Sequence, residues 1–187
     1  MAVVTVSRQL GSGGTYVAML VARELGYEYL DRQLILAAAN RAGAPEVALA
    51  QIDEYGLLRL MPAAEAHSAY LRAVATIMLE AAERGNAVIV GRAGQVVLRG
   101  VAGVLHVQVV APIEHRIAAV MRRQNTDKAS AERLVHTADR RRLNYLRRNY
   151  NADWLDPRLY DLVINTGTLQ PQMAARIVVD AVRAVEQ

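Results

Sequence analysis

Short runs of apolar, mostly β-branched residues alternate with longer stretches along nearly the whole chain of 187 residues. Each run predicts a buried strand, because its length suits a strand and is too short for a helix. The five predicted strands are Val3–Val6, Tyr27–Leu30, Ala87–Val90, Val104–Val110 and Leu159–Asn165. Strands that alternate with helices form βαβ units around a buried parallel sheet, and a chain of this length can bury a full core. The alternation therefore predicts an α/β fold.

The stretches between these runs carry apolar residues at helical spacing and predict the helices that cover the sheet. They are Tyr16–Leu25, Arg32–Ala42, a broken helix from Pro45 to Pro62, Ala63–Arg84, Pro112–Gln124, Asp127–Tyr150 and Gln170–Val185. No internal repeat or linker interrupts this order. We therefore expect a single domain over residues 1–187.

Composition excludes several kinds of chemistry. The chain has no cysteine, which rules out disulfides, thiolate nucleophiles, iron–sulfur clusters and cysteine-bound zinc. Its four histidines lack the spacing of metal ligands. No apolar run approaches the roughly 18 residues that a membrane span needs, and the first residues do not resemble a signal peptide. We expect a cytoplasmic protein that does not engage a membrane.

Arginine supplies almost all of the positive charge. Of the 22 basic residues only Lys128 is a lysine, and the net charge is +4. Chemistry that normally uses a lysine must therefore use Lys128 or an arginine. From residue 116 to residue 158 the chain has 11 basic and five acidic residues, which fits a polyphosphate site, a solvated helical face or nucleic acid. The interleaved acids and an aromatic share of 5% make nucleic acid the least favoured.

A glycine-rich turn follows the first predicted strand and leads into the first predicted helix. Such a turn, Gly11–Thr15, presents backbone N–H groups and the positive end of a helix dipole to an anion. Aligned with the phosphate-loop pattern G-x-x-x-x-G-K-[ST], the second glycine is Gly13 and the hydroxyl is Thr15. Arg8 stands at the first glycine and Gly14 at the lysine. By itself the pattern fits both an anion cradle and an ordinary βα turn.

The carboxyl ends of parallel strands meet at one edge of a sheet, where ligands of such folds bind. The predicted strands bring five segments to that edge: Ser7–Thr15, Asp31, Gly91–Gly94, Ala111 and Asn165–Gly167. We expect them to surround one crevice that forms the functional site.

Several blocks of the sequence resemble the cytidylate kinase-like proteins, a branch of the P-loop nucleoside monophosphate kinases. They are Val6–Gly14, Gly26–Arg32, Val90–Gly94, Asp139–Tyr145, Trp154–Pro157 and Tyr160–Thr166, in the family's order. The resemblance implies a P-loop kinase three-layer sandwich with a five-stranded parallel sheet in the order 2-3-1-4-5 and a helical lid. It also implies transfer of the γ-phosphoryl group of ATP, with Mg²⁺, to a small acceptor, of which a nucleoside monophosphate such as CMP is favoured.

The resemblance further implies roles for individual residues. The residues implied to hold ATP are Gly11, Ser12, Gly13, Gly14, Thr15 and Tyr16 in the turn and Asn165 and Thr166 at the adenine. Thr15 would also bind Mg²⁺. Asp31, Arg92 and Arg141 would bind the acceptor. Asp139 and Arg142 would contact the acceptor and the transferred phosphoryl group from an arginine-rich lid at residues 125–158.

The missing lysine is a physical departure from ordinary P-loop kinases, in which that lysine offsets charge on the transferred phosphates. We hypothesise that Arg8 supplies the cation from the other end of the turn, with Lys128 or a lid arginine as the second candidate. Arg8 paired with a surface carboxylate is the alternative. Likewise, Arg92 and Asp31 also fit structural roles at helix ends.

The segment 43–84, expected on the acceptor side, is helical and rich in alanine and leucine, with few polar groups to read a base. It leaves a second function open, that of a nucleotide-binding but catalytically weak regulator whose apolar helices form a homodimer. We expect Trp154 and Tyr145 to pack beneath the lid.

Overall fold

The computed structural model describes residues 2–31, residue 40 and residues 64–186. In chain order the elements are β1 (Val3–Arg8), α1 (Gly14–Leu25), β2 (Glu28–Leu30), α2 (Ala64–Arg84), β3 (Ala87–Val90), α3 (Gly94–Val97), β4 (Val104–Val110), α4 (Ile113–Gln124), α5 (Lys128–Tyr150), β5 (Leu162–Asn165) and α6 (Pro171–Val185). A single 3₁₀ turn, Pro157–Leu159, precedes β5. The predicted helices at 32–42 and 45–62 lie outside the described residues.

The strands form one sheet in the order β2-β3-β1-β4-β5, and every neighbouring pair is parallel. β1 lies at the centre, where Val3 aligns with Ala87 of β3 and with Val104 of β4. The β-branched residues of these strands are buried on both faces, as the central strands of a covered parallel sheet require. The predicted fold and strand order are confirmed.

Helices cover both faces of the sheet and make a three-layer sandwich. On one face, Val17 of α1 and Val178 of α6 pack against Val4 and other residues of β1, β3 and β4. On the other, Tyr70 of α2 and Tyr145 of α5 belong to a second core with β3. α4 packs against α5 in a separate small cluster. No described helix is long and apolar enough to cross a membrane.

β1 is longer than the sequence predicts. Apolar residues end at Val6, yet Ser7 aligns with Gln108 of β4 and Arg8 with Val109. The ladder continues because backbone pairing with β4 does not require an apolar side chain. Arg8 is therefore the last residue of the central strand, directly before the glycine turn.

β5 begins later than predicted, at Leu162 instead of Leu159. The Asp156 carboxylate caps a 3₁₀ turn whose first residue is Pro157, which favours a turn over a strand. Asp161 then joins β4 by donating its N–H to the carbonyl of His106 at 2.7 Å, before the regular ladder starts.

The chain reverses sharply after β3. Gly91, Arg92 and Ala93 all have positive φ, at 77°, 55° and 57°, which is uncommon for residues other than glycine. This reversal leads directly into the short helix α3, which the sequence pattern does not predict. It also fixes where Arg92 lies relative to the sheet edge.

Candidate active site

The glycine turn between β1 and α1 is held by its own serine. The Ser12 N–H and hydroxyl both donate to the Gln9 carbonyl, at 3.2 and 2.9 Å, and the Ser12 hydroxyl accepts from the Gly14 N–H at 3.3 Å. Gly13, with φ of 76°, is the N-terminal cap of α1. The predicted loop residues therefore form a compact turn that enters the helix directly.

Close packing leaves no room for side chains at two positions of this turn. A Cβ atom at Gly11, where φ is 84°, would lie 2.5 Å from the carbonyl oxygen of Arg116. A Cβ atom at Gly14 would lie 2.5 Å from the Cβ of Arg8. The backbone of the turn is consequently pressed against β1 and α4, and no side chain of these two glycines covers it.

The N-terminus of α1 has the electrostatics of an anion site. Its first turn contains no acidic residue, and the N-cap residue Gly13 has no side chain to cap it, although the Ser12 hydroxyl accepts from the Gly14 N–H. Thr15, in that first turn, is exposed. The partial positive charge of the helix end is thus open to a ligand, as phosphate sites at helix starts require.

A cavity of about 570 Å³ opens over this turn. The turn itself, the segment from Thr166 to Pro171, and side chains of α4 and α5 line it. Three of the lining residues are the arginines Arg8, Arg123 and Arg142, and none of the described lining residues is an aspartate or glutamate. Such a cavity favours a ligand with several negative charges.

Arg142 extends from α5 to the base of this cavity. Its side chain is buried, and its guanidinium carbon lies 5.7 Å from the ring centroid of Trp154, within cation–π range. The Trp154 indole N–H donates to the Ser7 hydroxyl at 2.8 Å. Arg142 and Arg8 also line a second, small cavity beside Ser7. The Trp154 ring thus connects helix α5 to the end of the central strand.

A buried polar network holds Trp154 in place, and its burial confirms the predicted packing role. The Tyr160 hydroxyl donates to the Trp154 carbonyl at 2.9 Å and accepts from the Gln95 side-chain amide at 3.1 Å. Burial raises the pKa of Tyr160 to about 12, so its hydroxyl stays protonated and able to donate. The segment before β5 is therefore fixed to the sheet edge.

Asp139 is paired with α4. Its Oδ2 atom lies 2.8 Å from the Nη1 atom of Arg116, whose Nε donates to the Ala111 carbonyl at 3.1 Å. Asp139 is not among the described residues that line the cavity, although Arg142, three residues later on α5, is. The joint contact of Asp139 and Arg142 with the acceptor and the transferred phosphoryl group stays a prediction.

The three residues predicted to bind the acceptor lie apart from the cavity over the turn. Arg92 is 1% exposed. Burial raises the pKa of Tyr150, while a hydrogen bond from Tyr145 and the charge of Arg92 lower it. Arg92 therefore lies near Tyr150, the last residue of α5. Asp31, directly after β2, and Arg141 on α5 are half-buried. Gly91 and Ala93, on either side of Arg92, line the small cavity that also contains Ser7, Arg8 and Arg142, and the acceptor roles of Asp31, Arg92 and Arg141 stay predictions.

Thr166, predicted with Asn165 at the adenine, follows β5 directly and braces the turn. The Thr166 hydroxyl donates to the Ser12 carbonyl at 2.6 Å, and its N–H donates to the Val110 carbonyl at 2.9 Å. Asn165 accepts from the Gly167 N–H at 2.9 Å. Thr166 lines the cavity as well, so bracing the turn and facing a ligand are compatible.

Sequence reasoning missed Arg116, Arg123 and His115, which lie on α4 at or near the cavity. Arg116 had a detectable signal: it falls on the apolar face of α4, in helical spacing with Ile117 and Val120. A buried arginine on such a face requires a partner, and here the partner is Asp139. Arg123 and His115 had no signal, because nothing in the pattern of α4 separates them from solvated residues.

The sheet order, the glycine turn at the end of the central strand and the arginine-lined cavity above it together define a P-loop kinase fold. The sequence profile of the cytidylate kinase-like family matches residues 3–168, and the chain belongs to this family. Cytidylate kinase of Thermococcus sibiricus is 34% identical over 183 residues, covering 96% of this chain and 87% of that protein. Cytidylate kinase of Ignicoccus hospitalis is 29% identical, covering 92% of this chain and 94% of that protein.

Solved structures share the fold at low identity. An uncharacterised protein from Eubacterium ventriosum superposes with a TM-score of 0.79 at 18% identity over 98% of this chain and 99% of that chain. A gluconokinase from Sinorhizobium meliloti has a TM-score of 0.58 at 16% identity, over 99% and 94% of the two chains. Shikimate kinase from Acinetobacter baumannii has a TM-score of 0.56 at 14% identity, over 98% of this chain and 94% of that chain.

One local similarity has a different character. A stretch of 103 residues is 33% identical to uronate isomerase of Corynebacterium glutamicum, covering 55% of this chain and 20% of that protein. This chain thus spans about a fifth of that relative's length, and the similarity says nothing about activity. The family supports kinase activity, and the solved structures, at 14–18% identity, show the fold alone.

Proposed function

We propose that this chain transfers the γ-phosphoryl group of ATP to a small acceptor, with a nucleoside monophosphate such as CMP as the favoured class. The observation that carries the proposal is the cavity over the glycine turn, with three arginines and no carboxylate among its described lining residues. ATP is the polyanion that P-loop kinases bind in this place. The relatives named cytidylate kinase favour a nucleotide acceptor over a sugar.

The turn fits a polyphosphate. Gly13 is exposed, and a Cβ atom there would meet nothing closer than a side-chain carbon of Pro171 at 3.8 Å, so the approach from the cavity is open. The Thr15 hydroxyl is a suitable oxygen ligand for Mg²⁺. The described residues contain no group of three histidines or carboxylates able to hold a metal ion by themselves. Mg²⁺ would therefore be held largely by the phosphate oxygens of ATP, and it would offset charge between them.

The residues of the site act by orientation and charge neutralisation. In the proposed reaction an acceptor oxygen bonds to the γ-phosphorus, the bond from that phosphorus to the β,γ-bridging oxygen breaks, and ADP leaves. Such transfers proceed through a loose transition state with charge spread over the phosphoryl oxygens. In the proposed mechanism Arg142, held over Trp154, and Arg8, at the end of β1, would offset that charge, since both line the cavity.

The acceptor side remains the family-derived part of the proposal. Arg92 would bind the acceptor's phosphate, with Asp31 and Arg141 near its remaining groups. Because Arg92 is enclosed, this role requires its surroundings to open when the acceptor binds. An Arg92→Met variant is then expected to raise KM for the acceptor with little change in KM for ATP, as steady-state kinetics would measure.

A nucleotide-binding regulator of weak activity is the second candidate function. The observation that favours it is that Gly14 has no space for the P-loop lysine beside Arg8. The regulator would bind ATP in the same cavity and signal through homodimer formation by the apolar segment 45–84, for which the sequence predicts helices. The arginines around the cavity favour the kinase instead.

One assay separates these functions. The protein is incubated with Mg-ATP and, in turn, CMP, other nucleoside monophosphates, shikimate and gluconate, and ADP release is measured together with the melting temperature. Acceptor-dependent ADP release supports the kinase and identifies the acceptor class. Stabilisation by ATP without ADP release supports the regulator. If ATP neither stabilises the protein nor is consumed, both functions are contradicted.

A further inference from the structure

Residues 8 and 14 compete for one space at the end of the central strand. Arg8 aligns with Val109 of β4, and Gly14, the first residue of α1, lies against this pair. A Cβ atom at residue 14 would lie 2.5 Å from the Cβ of Arg8 and 2.9 Å from the Cβ of Val109, closer than the 3.0 Å that real Cβ atoms essentially never pass. While residue 8 carries a side chain, residue 14 cannot.

The reason for glycine at residue 14 is space, not backbone conformation. Gly14 begins a regular helix and is absent from the described glycines that have positive φ, which include Gly11 and Gly13. Any L-residue could adopt its backbone angles. Only the neighbouring strand side chains exclude one.

The P-loop pattern shows the complementary arrangement. It places glycine where this chain has Arg8 and lysine where this chain has Gly14. In both arrangements only one of the two positions carries a side chain, and that side chain is a cation. Relative to the pattern, the glycine and the cation have therefore changed places in this chain. The two changes depend on each other, because a side chain at one position leaves no space for one at the other.

We propose that Arg8 does the work of the P-loop lysine: it delivers the phosphate-binding cation from the end of β1, and Gly14 is glycine because Arg8 occupies its space. This inference rests on the proposed function, since it assigns the cation of the same nucleotide site. The absent lysine is then not a sign of lost activity, because Arg8 supplies the same positive charge from another position.

The surroundings of Arg8 suit that role. Arg8 lines the large cavity over the turn and also the small cavity that contains Arg142 and Ser7. Arg8 also acts on Tyr29, on β2. Burial and the Asp31 carboxylate raise the pKa of Tyr29, and the positive charge of Arg8 lowers it. The guanidinium therefore lies between the glycine turn and the strand end where the acceptor is expected.

The steric half of the inference is tested by stability, without any nucleotide. Gly14→Ala is introduced into the wild-type protein and into Arg8→Gly, and the melting temperature of all four proteins is measured. The loss caused by Gly14→Ala is expected to be clearly smaller in the Arg8→Gly background, where only the contact with Val109 remains. Equal losses in both backgrounds overturn the coupling.

Gly94→Ala is the matched control. Gly94 also begins a helix beside a strand, and the atoms nearest to a Cβ there belong to Thr5, at 3.1 Å, and Ile89, not to Arg8. Its effect on the melting temperature is expected to be the same in both backgrounds. If Gly94→Ala also lowers the melting temperature less in the Arg8→Gly background, the strand is generally loosened. That result contradicts a specific exchange between residues 8 and 14.

The charge half is tested by ATP binding, measured calorimetrically. Arg8→Gly, and Arg8→Met as a variant that keeps the stem, are expected to bind Mg-ATP about ten- to hundredfold more weakly, the range for one charged hydrogen-bonding group. The double variant Arg8→Gly/Gly14→Lys restores the pattern and should recover most of the affinity. Gly14→Lys alone should not. Arg183→Met removes an exposed arginine at the far end of α6 and should bind as the wild type does.

The outcomes distinguish this inference from the proposed function. If the wild-type protein and Arg8→Met bind ATP equally well, the kinase proposal stands and the role of Arg8 is overturned. Failure of the double variant to exceed Arg8→Gly overturns the exchange. Wild-type protein that does not bind ATP overturns both.

Discussion

His106 places a titratable ring inside the central part of the sheet. It lies on β4, and its Nδ1 atom is 2.7 Å from the hydroxyl of Thr5 on β1. Burial lowers the pKa of His106, and the Asp161 carboxylate and a backbone contact with Leu98 only partly oppose this. The folded protein therefore holds the ring neutral at pH values where the unfolded chain, with a pKa near 6.5, takes up a proton.

The sign of the pH effect follows from this difference. Below about pH 6.5 the unfolded state binds more protons than the folded state, so the free energy of unfolding falls as the pH is lowered toward 5. A His106→Asn variant is expected to show a smaller decline, measured by urea unfolding between pH 7.5 and pH 5. His136→Gln, on the exposed side of α5, should retain the decline of the wild type. A His106→Asn profile parallel to the wild-type profile would contradict the prediction.

Gly11 provides a second residue-scale prediction. An alanine there would combine a positive φ of 84° with a Cβ only 2.5 Å from the Arg116 carbonyl oxygen. Gly100 is the matched control, because its φ is 78° but a Cβ there meets nothing within 4 Å. We expect Gly100→Ala to cost about 1–2 kcal/mol from backbone strain. Gly11→Ala should cost about 1–3 kcal/mol more from overpacking.

Denaturant unfolding of the two glycine variants checks this difference. Equal costs would mean that α4 moves away from the turn without penalty. In that case the tight contact does not hold the turn, and its shape must depend on the Ser12 and Thr166 hydrogen bonds alone.

At the scale of elements, an ion pair joins helix α5 to helix α4. Asp139 and Arg116 are 2.8 Å apart with little exposure, and Arg116 is also bound to the Ala111 carbonyl at the end of β4. Asp139→Asn is expected to lower the free energy of unfolding by about 1.5–3 kcal/mol, because it weakens a charged hydrogen bond in a largely buried place. In an Arg116→Met background, Asp139→Asn should lower the free energy of unfolding much less, because the ion pair is already absent.

This double-mutant cycle also separates positioning from catalysis. If Asp139 positions α5, kcat in Asp139→Asn should recover at lower temperature, where the fold is more fully populated. An unchanged free energy of unfolding together with a large loss of kcat would instead return Asp139 to the phosphate-contacting role implied by the family resemblance.

Elements with a strong local signal were predictable from the sequence, and elements defined by distant partners were not. The runs Ala87–Val90 and Val104–Val110 gave the observed strands without change, because burial on both faces selects an unbroken apolar run. The extension of β1 to Arg8 depends on pairing with β4, and the turn before β5 depends on the cap by Asp156. No local pattern contains the pairing with β4, whereas the cap is local, from Asp156 to the Arg158 N–H, and the apolar run that follows obscured it.

The candidate site shows the same division. The glycine turn was predictable, since its glycines and hydroxyls are contiguous in sequence. The partner of Asp139 was not, because Arg116 lies 23 residues away on another helix. The contact of Trp154 with Ser7 spans 147 residues and joins two segments that have no shared pattern. Such contacts become visible only once the sheet brings strand ends together.

For the whole molecule, the layout of charge matters more than the net charge of +4. Arg8, Arg123 and Arg142 come from β1, α4 and α5, three elements that the fold brings to one cavity. None of the described lining residues is an aspartate or glutamate, so positive charge converges at the site. A polyanion bound there should stabilise the fold through its attraction to these arginines.

Mg-ATP is therefore expected to stabilise the whole fold. A ligand present at a hundred times its Kd adds about 2.7 kcal/mol to the free energy of unfolding. For a chain of this size, that corresponds to a rise in melting temperature of about 5–10 °C. Scanning calorimetry with increasing Mg-ATP measures the rise. Inorganic tripolyphosphate should reproduce much of it, because the cavity recognises charge, whereas adenosine should have little effect.

Two variants make this prediction specific to the cavity. Arg142→Met removes one of the lining charges and should reduce the rise in melting temperature at a fixed ATP concentration, while Arg183→Met, whose arginine pairs with Asp180 on α6, should not. If adenosine stabilised the protein as strongly as ATP, recognition would lie with the base and not with the phosphates. If Arg142→Met retained the full rise, the nucleotide would have to bind away from the arginine cluster, and the turn after β1 would then be a connection instead of a phosphate site.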